Sequence, residues 1–428
     1  MISRRVAAAA VCLLFIVAMA GWSEHDWPMA GKDSGHSGSI DSGPRAPLKR
    51  AWLVQAWGAE GSFTTWPVVS EGVVYALSGP GMLAVEAGTG KELWRREEPG
   101  EVTQVSPLVT PTGVLTFLPS GDVVSVSKTN GAEVWRTTLD SAADMSSALL
   151  EGRAYIPAEK ARALYSIDTA DGSVIWKTAL SGGPITVPAV SGNHVAVTTL
   201  DLETSTKELV VLNAADGSEI WKRSIGISHT SPAIIGSRLI IGDELLVRSL
   251  ELTTGKEQWS RRTTGKYEPW AIPAAFDGDV LIGDRLGHIY RLDGEGGEIE
   301  WTFQGVEGTF GQSSPVLAGD TLFAGTDAGE LLALDARSGK LLWSGRERGA
   351  VLAGAADEKH FYFGVKFGDQ GLYAYGHDPE GKLASAGQSD EAGPGGSPLA
   401  AVLGGLAVFG LVLLVVFLIG RRGKREAV

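Results

Sequence analysis

A glycine followed four residues later by a tryptophan recurs along this chain, as Gly90/Trp94, Gly131/Trp135, Gly172/Trp176, Gly217/Trp221, Gly255/Trp259, Gly297/Trp301 and Gly339/Trp343. By subtraction, successive tryptophans stand 41, 41, 45, 38, 42 and 42 residues apart. A period of this size, in a chain of short β-branched runs with 57 glycines, is the signature of β-propeller blades of about four strands each.

Each copy reads as the same series of strands. A short run opens beside Pro67, Pro107, Pro188, Pro232, Pro273 or Pro315, with Ser147 in the proline's place in the third copy. A tight turn then leads to a second run, a hairpin to a third, and the glycine turn to the strand that ends on tryptophan. The eighth copy runs through Phe361-Tyr362-Phe363 and Leu372-Tyr373-Ala374-Tyr375, reaches Gly381 and has no tryptophan after it. Its missing strand stands at the other end of the chain, where Pro47 to Trp52 resembles a repeat ending and Trp52 lies 42 residues before Trp94. The predicted fold is therefore all-β: an eight-bladed propeller over 47–383, with four-stranded blades and an N-terminal strand closing the ring. Seven blades is the alternative if Trp52 pairs elsewhere.

The ends read differently. Ser3-Arg4-Arg5, an apolar run from Val6 to Met19 and Ala18-Met19-Ala20 predict a signal peptide over 1–20, on either the general or the twin-arginine export route. A lead-in segment covers 21–46. Residues 384–398 are small and polar, as in a flexible tether. Residues 399–420 carry no charge, and Arg421, Arg422, Lys424 and Arg425 follow within the tail 421–428. That pattern predicts a transmembrane helix with a cytoplasmic tail and the body on the extracytoplasmic side, or else a cleaved sorting tag. The net charge is −13; the two ends contribute +5, so the middle carries −18, which excludes nucleic acid as an expected partner. Cys12, in the signal run, is the single cysteine, which leaves no disulfide and no thiolate metal site in the mature chain.

The pattern L-x-A-L-D-A-x-x-G-x-x-x-W, as in Leu331 to Trp343, resembles the PQQ-like repeat of quinoprotein-type and BamB-type propellers. In that family the resemblance implies that a small residue, a glycine and a tryptophan at relative positions 1, 7 and 11 dock neighbouring blades. Position 1 here is Ala84 or Ala333 in full form, Ser125, Ser166 or Ser249 in three blades, and Val211 and Arg291 in two. The segment Asp26-Trp27-Pro28-Met29 with Gly31, His36 and Gly38 also resembles the family's lead-in. The repeating tryptophans, Trp52 among them, are read as structural, since one residue per blade cannot converge on one site.

The seven histidines form no zinc-binding spacing, and no nucleophile elbow or phosphate loop is present. The acidic turn Asp293 to Gly297 does not follow the EF-hand spacing. From the resemblance, two functions compete. One is a PQQ-dependent dehydrogenase with calcium in the central channel, or a propeller binding another small ligand there; the other is a non-catalytic scaffold that binds envelope proteins. The dehydrogenases of the family have longer chains and, in the alcohol-oxidising group, a vicinal cysteine pair, and none of their calcium ligands or catalytic carboxylates is matched here. The expectation is a scaffold with no cofactor and no catalytic or metal residue. Trp66, His229, Tyr267, Trp270 and Phe310 precede the first strands of their blades, are not demanded by the repeat, and are the candidate partner-facing residues at one end of the channel.

Overall fold

A computed structural model describes residues 26–56, 65–98, 103, 105–226, 229–263, 269–304 and 313–382. The expected signal peptide 1–20 and tether 384–398, the apolar segment 399–420 and the basic tail 421–428 lie outside them, as do Tyr267 and Phe310. Among the described residues there is no helix, and none long and apolar enough to cross a membrane.

Strands form eight sheets in chain order, each an antiparallel meander. Blade one is typical: Val68–Ser70, Val73–Ser78, Gly81–Glu86 and Glu92–Glu97 run from the channel outwards. The eighth blade takes its outermost strand, Leu48–Gln55, from the N-terminal part, pairing antiparallel with Gly371–His377. One apolar cluster runs through Val69 and Val85 of blade one, Tyr362 and Tyr373 of blade eight, and Phe323 and Ala333 of blade seven, so the last blade is packed between its two neighbours. A ring closed in this way leaves no open end to fray.

The repeat motif has a common geometry. The position 1 residue sits directly opposite its tryptophan, as Ala84↔Trp94, Ser125↔Trp135, Val211↔Trp221 and Arg291↔Trp301, with a bulge beside each pair. Each indole then reaches into the next blade. Nε1 of Trp52, Trp94, Trp135, Trp176, Trp221, Trp259 and Trp301 donates to the carbonyls of Ala87, Lys128, Thr169, Ala214, Leu252, Gly294 and Ala336, at 2.8–3.2 Å. All seven acceptors stand at relative position 4. A Cβ built on the glycine of each receiving turn, Gly90, Gly131, Gly172, Gly217, Gly255, Gly297 or Gly339, would fall under 3.0 Å from the indole.

Trp343 departs from this set. Blade eight has no turn between its third and fourth strands, because the fourth comes from the other end of the chain, and position 7 there is Glu380. Trp343 instead packs on Tyr375, ring centroids 5.9 Å apart, and on its own strand's Gly345. The blades also vary in strand number. Gly183–Pro184 adds a fifth strand to blade four, whose lengthened hairpin consists of the long strands His194–Asp201 and Thr206–Asn213. Ser39–Ile40 adds a parallel fifth strand to blade seven.

Candidate functional site

The site is built where the innermost strands begin. In each blade the chain arrives from the outer strand of the previous blade on one face, called here the entry face, and the hairpins between second and third strands turn on that same face.

An innermost strand has a free side, turned to the channel, whose amides need partners. The sequence meets this need twice. Proline at the start of the strand has no N–H to leave unpaired. Two residues on, with the same parity, the amides of Val69, Val109, Val190, Ile234, Ala275 and Leu317 donate to the carbonyls of Trp27, Pro28, Ser34, Gly35, Ser37 and Gly38, at 2.5–2.9 Å. The lead-in is therefore not an appendage. It makes a circuit inside the ring, bonding blades one, two, four, five, six and seven in turn, while Met29 joins the core of blades two and three.

The circuit is held at both ends. Asp26 accepts from Ser70 Oγ and the Glu71 amide, at 3.0 and 3.1 Å. Its curl needs left-handed residues. Gly31 has φ +75 and Gly38 φ +58, and a Cβ on either would come within 2.8 Å of His36 or Ala274, respectively. His36, fully buried, sits in the curl with Nδ1 2.7 Å from the Pro232 carbonyl. A carbonyl only accepts, so Nδ1 carries the proton and Nε2 holds a lone pair, with no partner among the described residues. Burial holds its pKa below the usual histidine value, against the opposing influence of the Pro232 bond and the Asp33 charge.

Above the circuit, the residues before the prolines set the throat. The amides of Ser106, Val187 and Ile272 donate to the hydroxyls of Ser146, Ser231 and Ser314 in the following blade, at 3.1–3.2 Å. Thr230 Oγ1 bonds the Pro269 carbonyl at 2.8 Å. Trp66 of blade one, Val187 of blade four and Ile272 of blade six meet Ala30 of the lead-in in one apolar cluster. Side chains from well-separated blades thus meet in the throat, and the chain fills its own channel at this level.

Of the five candidate partner-facing residues, Trp66 is partly buried in that cluster and His229 is exposed. Trp270 does not precede its strand: it lies within Pro269–Phe276, opposite Gly283, because a bulge between Trp270 and Ala274 lets pairing begin before Pro273. The sequence reading missed the circuit of the lead-in; the proline parity in six blades was the available signal.

One branch of the resembling proteins implies a PQQ cofactor with calcium. Calcium takes six to eight oxygens, and a planar quinone needs an open cleft. Among the described residues no three acidic, histidine or cysteine side chains are grouped to hold a metal, and the throat is apolar and packed. The described residues do not fit the pair.

Fold and site together define the class: an eight-bladed propeller of PQQ-like repeats, with its lead-in bonded inside the ring and an apolar cluster in its throat. The chain belongs to the family described as outer membrane protein assembly factor BamB, matched over 49–153, 119–268 and 205–352. BamB of Moranella endobia is 28% identical over 152 residues, covering 32% of this chain and 38% of that protein. Quinohemoprotein alcohol dehydrogenase ADH IIB of Pseudomonas putida is 26% identical over 127 residues, 24% of this chain and 18% of that protein. The chain thus spans well under half the length of these curated relatives. Among solved structures, BamB from Moraxella catarrhalis superposes with a TM-score of 0.63 at 13% identity, covering 77% of this chain and 99% of that one. Quinohemoprotein alcohol dehydrogenase from Comamonas testosteroni gives 0.67 at 14% identity, covering 88% and 84%. At these identities the likeness is one of fold.

Proposed function

We propose that the protein is a non-catalytic interaction platform of the cell envelope. In this reading it is exported, carried on the cytoplasmic membrane by 399–420 with its propeller outside, and it holds other envelope proteins on the entry face. The observation that carries the reading is the filled throat: with Ala30, Trp66, Val187 and Ile272 packed together, the faces remain for binding. Family membership supports it, since the BamB relatives are named for a part in outer membrane assembly. The match to a quinohemoprotein dehydrogenase favours a second reading, a PQQ enzyme or other ligand-binding propeller, which the throat residues oppose.

The test is site-specific photo-crosslinking in intact cells, with the crosslinker at His229 or Trp66 on the entry face and at Asp171 or Asn130 on the opposite face. Discrete protein adducts from the entry face alone are expected. Adducts from neither face, or equally from both, would overturn the assignment.

A further inference from the structure

The entry face carries a second feature, on its hairpin tips. Among the described residues, eight large apolar side chains are exposed. Five, including Leu93, Val134, Ile175 and Ile220, lie on the outer strands of blades one to four. The other three, Leu202 (76% exposed), Leu286 (42%) and Phe367 (64%), stand on the tips between second and third strands of blades four, six and eight. The first five begin their strands next to the turns of the opposite face, one or two per blade, whereas these three stand on hairpin tips.

The intervening tips are acidic. Exposed Glu203 follows Leu202, exposed Glu244 caps blade five, exposed Asp327 caps blade seven, and exposed Asp369 lies beside Phe367. Five consecutive tips thus alternate apolar with acidic around an arc of the face. The tips of blades one to three differ, with Gly79-Pro80, Pro119-Ser120, Lys160 and Arg162; on the arc itself the cations are exposed Arg285 beside Leu286 and partly buried Lys366 beside Phe367, against the four acids. Phe367 is also held at φ +63, a left-handed conformation that bulky residues adopt at a cost and that Asn or Gly would occupy more easily. With Lys366 Nζ 5.4 Å from its ring centroid, the aromatic remains exposed at the tip.

We infer that this arc is a docking surface for a basic, apolar polypeptide segment of a partner protein. Charge complementarity selects that occupant: the body carries −18, and the acids of the arc stand between its apolar contacts, where cationic side chains would meet them. Singly exposed apolar residues are ordinary; three on alternate hairpin tips of one face, interleaved with carboxylates, mark a surface. The inference rests on the platform reading and names the chemistry of what the platform holds.

The test uses the full chain in detergent and two fluorescent synthetic peptides, one alternating leucine with lysine, the other leucine with glutamate. Binding is read by anisotropy for wild type, for Leu202→Ser/Leu286→Ser/Phe367→Asn, and for Glu203→Gln/Glu244→Gln/Asp327→Asn; each substitution is also made singly in case a combination fails to fold. The expected result is saturable binding of the lysine peptide, weakened roughly tenfold in the apolar triple variant, and weakened in the acid variant at low salt only. Equal binding by the apolar variant, or equal binding of the glutamate peptide, would overturn the proposal. So would loss in the apolar variant of self-association, or of binding to anionic phospholipid vesicles, in place of peptide binding. Entry-face crosslinks that persist in the apolar variant would sink the arc alone and leave the platform standing; their absence in wild type would sink the platform.

Discussion

The indole of Trp176 in blade three reaches Gly217 in blade four: its Nε1 donates to the Ala214 carbonyl at 3.0 Å, and a Cβ on Gly217 would stand 2.7 Å from Trp176 Cε3. One residue thus fills an apolar gap and satisfies a turn carbonyl of the next blade. Trp176→Ala should destabilise by about 3–5 kcal/mol, through lost contact and the cavity left behind. Urea unfolding checks it; a wild-type transition would contradict the docking role.

Trp343 occupies the same place in its repeat, but blade eight offers it no glycine turn; it packs on Tyr375, on Gly345 and against the apolar cluster of blades seven and eight. Trp343→Ala should therefore cost less, about 1–2 kcal/mol. Equal losses in the two variants would mean that ring contact alone, and not the carbonyl bond with its glycine, sets the energy.

The lead-in circuit predicts a contrast between two glycines. Gly38→Val places a branched side chain against Ala274, whose Cβ lies 2.8 Å from the built position, at φ +58. Gly72 has a similar φ of +74 but nothing within 4 Å. The first change should destabilise by about 2–4 kcal/mol and the second by about 1 kcal/mol. Thermal unfolding of both variants checks this, and equal shifts would show that the circuit carries no packing load.

His36 makes stability depend on pH. Its folded pKa lies below the usual value of 6.5, so the unfolded chain takes up a proton first. Its contribution is complete above about pH 6.5 and is lost as pH falls from there toward the lowered folded value. His36→Asn keeps a donor for the Pro232 carbonyl and suits the φ of +61, but does not titrate. The loss of melting temperature between pH 7 and pH 5 should be smaller in His36→Asn than in wild type. Burial lowers His360 too, so the difference between the two proteins is the quantity to read. Parallel curves would contradict the assignment.

The ring was legible in the sequence because its cause repeats. Glycine and tryptophan at fixed spacing recur wherever a third strand turns into a fourth, and Trp52 at the right interval gave away the closing strand. The circuit of Asp26 to Ile40 shows in the sequence only through the prolines two residues before its partner amides, because it bonds through backbone carbonyls, has no alternating pattern and pairs with six separate blades. Pro273 marks the strand opening in the sequence pattern and puts Trp270 before it; the bulge between Trp270 and Ala274 starts the pairing at Pro269 instead. Leu202, Leu286 and Phe367 escaped notice because an exposed apolar residue has meaning only once the face it shares with others is known.

A chain that fills its own channel works through its faces. The most direct measurement is calorimetric titration of the full chain in detergent with PQQ in calcium buffer, alongside tryptophan fluorescence, since Trp66 lies in the throat. No saturable heat and no change in emission are expected. Saturable binding at one site, micromolar or tighter, would contradict it and return the protein to the quinoprotein enzymes.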